Sequence, residues 1–254
     1  MTAKSAVDLP RKRWSGAEGR IRIELAACYR LIARFRMSDL VYTHISARVP
    51  GSEHFLLNPY GLLFEEVTAS NLVKIDIDGN VVEDTAYTVN PAGFTIHSAV
   101  HRARSDINCV LHTHTRAGMA VAATERGLLP LSQMALQFYG RLAIHEYEGI
   151  ALDLDERDRI ARDLGDKKAM ILRNHGLLTA GATVAEAFSL MYYLERACEI
   201  QISALSMGEA LVEPSPEVCE RVARQYEGDG EPGGEREWRA LLRELDRSEP
   251  DYKS

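Results

Sequence analysis

Short apolar runs of strand length alternate along this chain with longer segments whose apolar residues recur at helical spacing, and only a layered arrangement buries both kinds. Between Ala17 and Phe35, the residues Ile21, Leu25, Cys28, Leu31 and Ile32 share one face, which predicts an amphipathic helix. Thr43 to Val49, His54 to Leu57 and Leu72 to Ile77 read as strands. The last runs into Asp78-Gly79-Asn80 and a return strand at Val81 to Glu83, so a hairpin is expected there. Pro91-Ala92-Gly93 opens a helix to about Ser105, and Asn108 to His114 is a compact strand. Arg116 to Arg126 and Gln133 to Tyr139 read as helices, Leu142 to Tyr147 as a strand, and Asp155 to Leu164 as a charged helix stopped by Gly165. Ala169 to Arg173 is a buried strand ending in the turn Asn174-His175-Gly176. The longest helix spans Val184 to Met207.

With 254 residues, 46% of them hydrophobic, the chain can bury a substantial core. One α/β domain is expected over residues 17–210, preceded by a flexible arm at 1–16 and followed by a tail at 211–254. In that tail Glu227 to Gly234 reads as a linker and Glu235 to Arg247 as a short helix. Its Trp238, Leu241, Leu242 and Leu245 fall on one side and need cover from the body or from a neighbouring subunit. A net charge of −7 gives no electrostatic reason for nucleic acid or an anionic membrane as partner. The basic residues near the N-terminus lack an apolar run behind them, so neither a signal peptide nor a membrane span is expected. Cys28, Cys109, Cys198 and Cys219 are far apart and read as reduced thiols of a cytoplasmic protein.

The strongest chemical signal is His112-Thr113-His114. On a strand, a period of two sends both imidazoles to one face, where they can share an ion. A third imidazole, His175, stands in Arg173-Asn174-His175-Gly176, where glycine permits close backbone approach. Three neutral nitrogen donors with a free position suit a catalytic divalent metal: zinc first, iron or manganese as alternatives.

The run Cys109 to Thr115, the turn Arg173 to Leu178, the segment Tyr42 to Gly51 and the helix Asn90 to Ala103 stand in the order and spacing of the class II aldolase/adducin family, which this chain resembles over about residues 17 to 210. The resemblance implies a three-layer α/β/α sandwich around a mainly antiparallel sheet, assembled as a homotetramer with sites between subunits. It also implies a metal held by His112, His114 and His175, acting as a Lewis acid on a substrate carbonyl so that an enediolate can form.

The chain departs from the sugar-phosphate aldolases at several points. Their Ser-Ser-Glu run is here Pro91-Ala92-Gly93, with His97 as the matching helix histidine, so the phosphate-binding serines and the glutamate base are missing. Their Thr-Pro-Ser/Thr-Gly loop is Asn58-Pro59-Tyr60-Gly61, and their Gly-Asn is Thr43-His44. A phosphorylated sugar is disfavoured as substrate, and Gly93 is expected to widen the site beside the metal. Tyr147 matches the place of an aldolase tyrosine acid and is the candidate for proton transfer. His44, Arg48, Asn58, Gly61, Gly93 and Gln133 are candidates for substrate contact, with His97 behind them. Arg48 would hold a carboxylate. His97 and His101, at i, i+4 spacing, read as structural. These expectations describe a metal-dependent lyase that performs retro-aldol cleavage or decarboxylation of a non-phosphorylated hydroxy or keto acid. An Fe(II)-dependent oxygenase and a non-catalytic adducin-like interaction module remain as alternatives.

Overall fold

The computed structural model describes Trp14 and residues 16–151, 153–228 and 232–254; most of the expected N-terminal arm and the middle of the expected linker lie outside these residues. Among the described residues a seven-stranded sheet runs in the order β3-β2-β1-β4-β7-β6-β5. Its strands are β1 (His44–Arg48), β2 (Phe55–Leu57), β3 (Val73–Ile75), β4 (Cys109–Thr113), β5 (Leu142–His145), β6 (Ala169–Leu172) and β7 (Gly176–Gly181). All neighbours pair antiparallel except β5 and β6 at one edge, which are parallel and joined through a helix as parallel strands require.

Side-chain alternation along the strands sorts the helices into two layers. Ile45, Ala47, Cys109, Leu111, Ile171 and Leu177 face a core built with α1 (Gly16–Arg34), α3 (Arg116–Ala122), α6 (Val184–Ser206) and α8 (Glu235–Ser248). Val110, Met170, Leu178 and Ala180 face the opposite way, onto Ile96 and Val100 of α2 (Pro91–Ala103) and Ile160 and Leu164 of α5 (Glu156–Leu164). The expected three-layer α/β/α sandwich is therefore what the chain forms. Local chemistry starts the helices where the sequence signals them. Asn90 caps α2 by accepting from the Ala92 amide at 3.1 Å, with Pro91 at the first helical position, and Thr183 caps α6 at the Glu186 amide.

Three expectations need correction. The segment after His175 is more than a turn, because Gly176–Gly181 is a full strand between β4 and β6. Its small residues disguise it, and they are required: a Cβ on Gly181 would stand 2.6 Å from the Ala187 amide nitrogen of α6. The return strand at Val81 to Glu83 is reduced to one bridge between Ile75 and Val81. The turn itself forms, with the Asp76 carboxylate accepting from the Asp78 and Asn80 amides, but Val81 and Val82 are exposed and have no apolar face to join. The tail holds α7 (Pro216–Glu227) as well as α8. The α7 helix begins at the Ser215-Pro216 cap and is clamped to the body where Arg141 meets Glu220 and Glu227.

The apolar side of α8 is covered by its own chain: Trp238 packs on Phe188 of α6 and is buried together with Leu245. Short α4 (Gln133–Leu136) sits against α6 and α7. No helix among the described residues is long and apolar enough to cross a membrane.

Candidate metal centre

The central strand β4 carries His112, and His114 stands just past its end on the same face. The register with β1 sets His44 directly opposite His112, so a third imidazole joins that face. His175 arrives from the turn between β6 and β7, where Asn174 takes a left-handed conformation with φ 51°. Gly176 lets this turn press onto β4, because a Cβ there would fall 2.2 Å from the Thr113 carbonyl oxygen and 3.3 Å from His114 Cδ2. One ligand atom each from His112, His114 and His175 lies within 4.8 Å of the others.

Hydrogen bonds behind the rings fix which nitrogens face the centre. His112 Nδ1 is 2.9 Å from the Leu177 carbonyl, which only accepts, so Nδ1 donates and Nε2 is left bare. His114 Nδ1 donates to Asp39 Oδ2 at 3.0 Å, which likewise frees its Nε2. These two bare nitrogens are 2.9 Å apart. For neutral imidazoles both are acceptors, and two acceptors repel at that separation unless a cation stands between them. Two nitrogens at 2.0–2.1 Å from one tetrahedral ion would be roughly 3.3 Å apart, close to the spacing observed. The donor set fits a divalent metal.

Electrostatics favour the same state. Burial, then the neighbouring imidazoles, hold His112 well below its ordinary pKa and bring His175 down to about 4. His112 and His175 are thus neutral near pH 7, the form that binds metal. Backbone strain also collects here. Thr43, a β-branched residue immediately before His44, adopts φ 65° and has a buried hydroxyl without a hydrogen-bond partner among the described residues.

The remaining candidates divide by position. His97 stands behind His44, with its Nε2 2.8 Å from His44 Nδ1 and its Nδ1 against the Ser46 hydroxyl. Gly93 is beside His44 but does not widen the site as expected, because the His44 ring occupies the space a larger residue would have taken. Tyr147, more than half exposed, lies on the loop after β5 and lines a small cavity with His145, Ile96 and His175.

Arg48 is four residues along β1 from His44, about 13 Å away. It donates to the His101 carbonyl at 2.6 Å, at the end of α2, and does not meet the imidazole cluster. Asn58 is also turned to structural work: its Oδ1 is 2.9 Å from the Tyr29 hydroxyl, which accepts from the Asn58 and Ile45 amides. Gly61 is an exposed loop glycine with φ 97°. Gln133 faces α7, where it donates to Tyr226 at 3.3 Å. Sequence reasoning missed Asp39 and Ser46. Neither belongs to a metal-binding spacing, and only the folded register brings them against the histidines.

Comparison with known proteins agrees with this architecture. The family described as Class II Aldolase and Adducin N-terminal domain matches residues 23–202. A candidate class 2 aldolase protein of Caulobacter vibrioides is 53% identical over 94% of this chain and 93% of its own length. Rat alpha-adducin is 46% identical over 89% of this chain, which spans 33% of that longer protein. Among solved structures, an aldolase II superfamily protein from Pseudomonas syringae superposes with a TM-score of 0.92 at 57% identity, covering 96% of this chain and 99% of its own. An L-fuculose 1-phosphate aldolase from Glaciozyma antarctica gives 0.83 at 27% identity, covering 96% and 97%. The chain belongs to the class II aldolase and adducin family.

Proposed function

We propose that the protein is a metal-dependent carbon–carbon lyase acting on a non-phosphorylated hydroxy or keto acid, by retro-aldol cleavage or decarboxylation. The observation that carries this reading is the pair of bare Nε2 atoms on His112 and His114, facing each other with His175 beside them. Family membership supports an aldolase-type lyase in general. The choice of acid over sugar phosphate rests on Gly93 and Tyr60, which replace the glutamate and the small hydroxyl of the sugar-phosphate pattern.

In this reading His112, His114 and His175 hold one divalent ion, zinc by preference, with iron and manganese as the other candidates. When bound, the ion supplies Lewis acidity toward a substrate carbonyl or carboxylate. Asp39 and the Leu177 carbonyl keep two of the imidazoles in the ligating tautomer. Tyr147, which lines the small cavity together with His175, gives and takes the proton at the substrate oxygen through its phenol. We place the protein in the cytoplasm on its four free, buried cysteines. We assign it a homotetramer, supported by the apolar Ile200, Leu205, Met207 and Val212 left exposed at the end of α6 and beyond.

The likeness to alpha-adducin supports a second reading, a non-catalytic interaction module. Elemental analysis of protein purified without added metal, together with an assay over a panel of hydroxy and keto acids, separates the two. Stoichiometric zinc or manganese that disappears in folded His114→Ala, with turnover of one acid class, supports the lyase. Metal-free protein without turnover supports the module, and iron with oxygen uptake moves the assignment to an oxygenase.

A further inference from the structure

A cavity far larger than the one lined by Tyr147 and His175 lies at the opposite end of β5 and β6. It measures about 500 Å³, within the range of about 300–1,000 Å³ that small-molecule sites occupy. Body and tail share its wall. The turn 166–168 that leads into β6, the end of α4 and the first half of α6 form one side, and α7 forms the other through Ala223, Tyr226 and Glu227.

Phe138, Ala169, Leu190 and the ring of Tyr226 give the cavity apolar surface, and most of the charges around it are already paired. Arg141 donates to Glu227 at 2.8 Å and to Glu220 at 3.0 Å. Lys168 donates at 2.6 Å to Glu186, whose other oxygen accepts from the Ala182 amide. Asp166 is exposed and close enough to Arg104 to interact with its charge. Lys167 is the exception. Among the described residues its ammonium donates only to the Leu142 carbonyl, at 3.2 Å, and it forms no ion pair. Lysine has three N–H donors, so this one bond leaves two to spare. Leu142 follows Arg141 in the chain, and the bond therefore holds the half-buried ammonium at the rim that Arg141 and Lys167 share. A cation partly withdrawn from water gains more from an anion than a fully solvated one does.

We propose that this cavity binds a small organic monoanion, an aromatic or aliphatic carboxylate, with its carboxylate on Lys167 and its hydrocarbon body against Phe138, Leu190 and Tyr226. The surroundings set the charge. One spare ammonium balances one negative charge, and Asp166, Glu186 and Glu227 on the same lining repel a second, which disfavours phosphates and dicarboxylates. Such a ligand touches both α7 and the turn before β6, so its binding also fastens the tail helix to the body. The site is separate from the imidazole cluster and needs no metal.

The test is calorimetric binding of 3-phenylpropionate and of its neutral analogue 3-phenylpropanamide to the full chain, to Lys167→Met and to Leu190→Trp. The methionine removes the charge and keeps an apolar stem, and the tryptophan fills part of the cavity. Wild type should bind the acid at least about tenfold more tightly than the amide, as expected for one hydrogen bond between charged groups. Lys167→Met should bind the two alike, and Leu190→Trp should weaken both. Three results overturn the proposal: no binding of the acid by wild type at millimolar concentration, equal affinity of wild type for the two compounds, or a preference for the acid that persists in Lys167→Met, as a carboxylate held at the imidazole cluster would give. Hydrogen exchange supplies a readout that needs no variant. Saturating acid should slow exchange of the α7 amides, and exchange there that stays unchanged overturns the placement whatever the variants do.

Discussion

Asp39 Oδ2 and His114 Nδ1 lie 3.0 Å apart, linking the loop before β1 to a metal-ligating candidate at the end of β4. The carboxylate fixes the tautomer and the orientation of the imidazole. Asp39→Asn keeps the shape but removes the charge, and it should weaken zinc affinity about 10- to 100-fold with the fold intact. Competition against a chromogenic chelator measures this, and unchanged affinity would show that His114 needs no such partner.

Tyr147→Phe separates proton transfer from metal binding. If the phenol moves the proton, kcat should fall about 100-fold or more while metal content stays stoichiometric. A variant that turns over like wild type would remove Tyr147 from the mechanism.

Acid should destabilise the metal-free protein earlier than its carboxylates alone would. Burial brings His101 down to about 3 and holds His97 well below its ordinary value of 6.5. Below pH 6.5 the unfolded chain protonates both rings and the folded chain does not. Stability is therefore complete above 6.5 and declines as pH falls from there toward about 3. Each ring adds a slope of about 1.4 kcal/mol per pH unit in that window. Urea midpoints at pH 7.5 and 5.5 check it, and equal midpoints would contradict it.

Trp238 anchors α8 on Phe188 and is 4% exposed. Trp238→Ala should cost about 3 to 5 kcal/mol, seen as a lower urea midpoint at an unchanged slope. A loss below about 1 kcal/mol would mean that the tail adds little to the stability of the body.

What the sequence made legible follows the range of its signals. Helical and strand periods reach only a few residues, and they located α1, α2, α6 and β4 to within a residue or two. The histidine pair at spacing two was equally local. The strand β7 was missed because Gly176, Ala180 and Gly181 resemble a loop until the approach of α6 and β4 explains them. Arg48 reads as a substrate contact from its chemistry and Asn58 from its place in the family's phosphate-binding loop, whereas the α2 carbonyl and the Tyr29 hydroxyl that engage them are brought near by the tertiary fold. Asp39 and Ser46 needed the register of β1 against β4, which the linear chain does not display.

The parallel pairing of β5 with β6 has a consequence for how such a site can diversify. His112, His114 and His175 hang on strands in the middle of the sheet, each with a neighbour on both sides, whereas Tyr147 follows β5, which is bonded along one edge only. An insertion or a new turn after β5 disturbs one row of hydrogen bonds and leaves the imidazole cradle untouched. Members built on this plan can thus exchange the residue in the place of Tyr147 and keep the three imidazoles where they are, so that likeness in the histidines foretells the cluster better than it foretells a reaction.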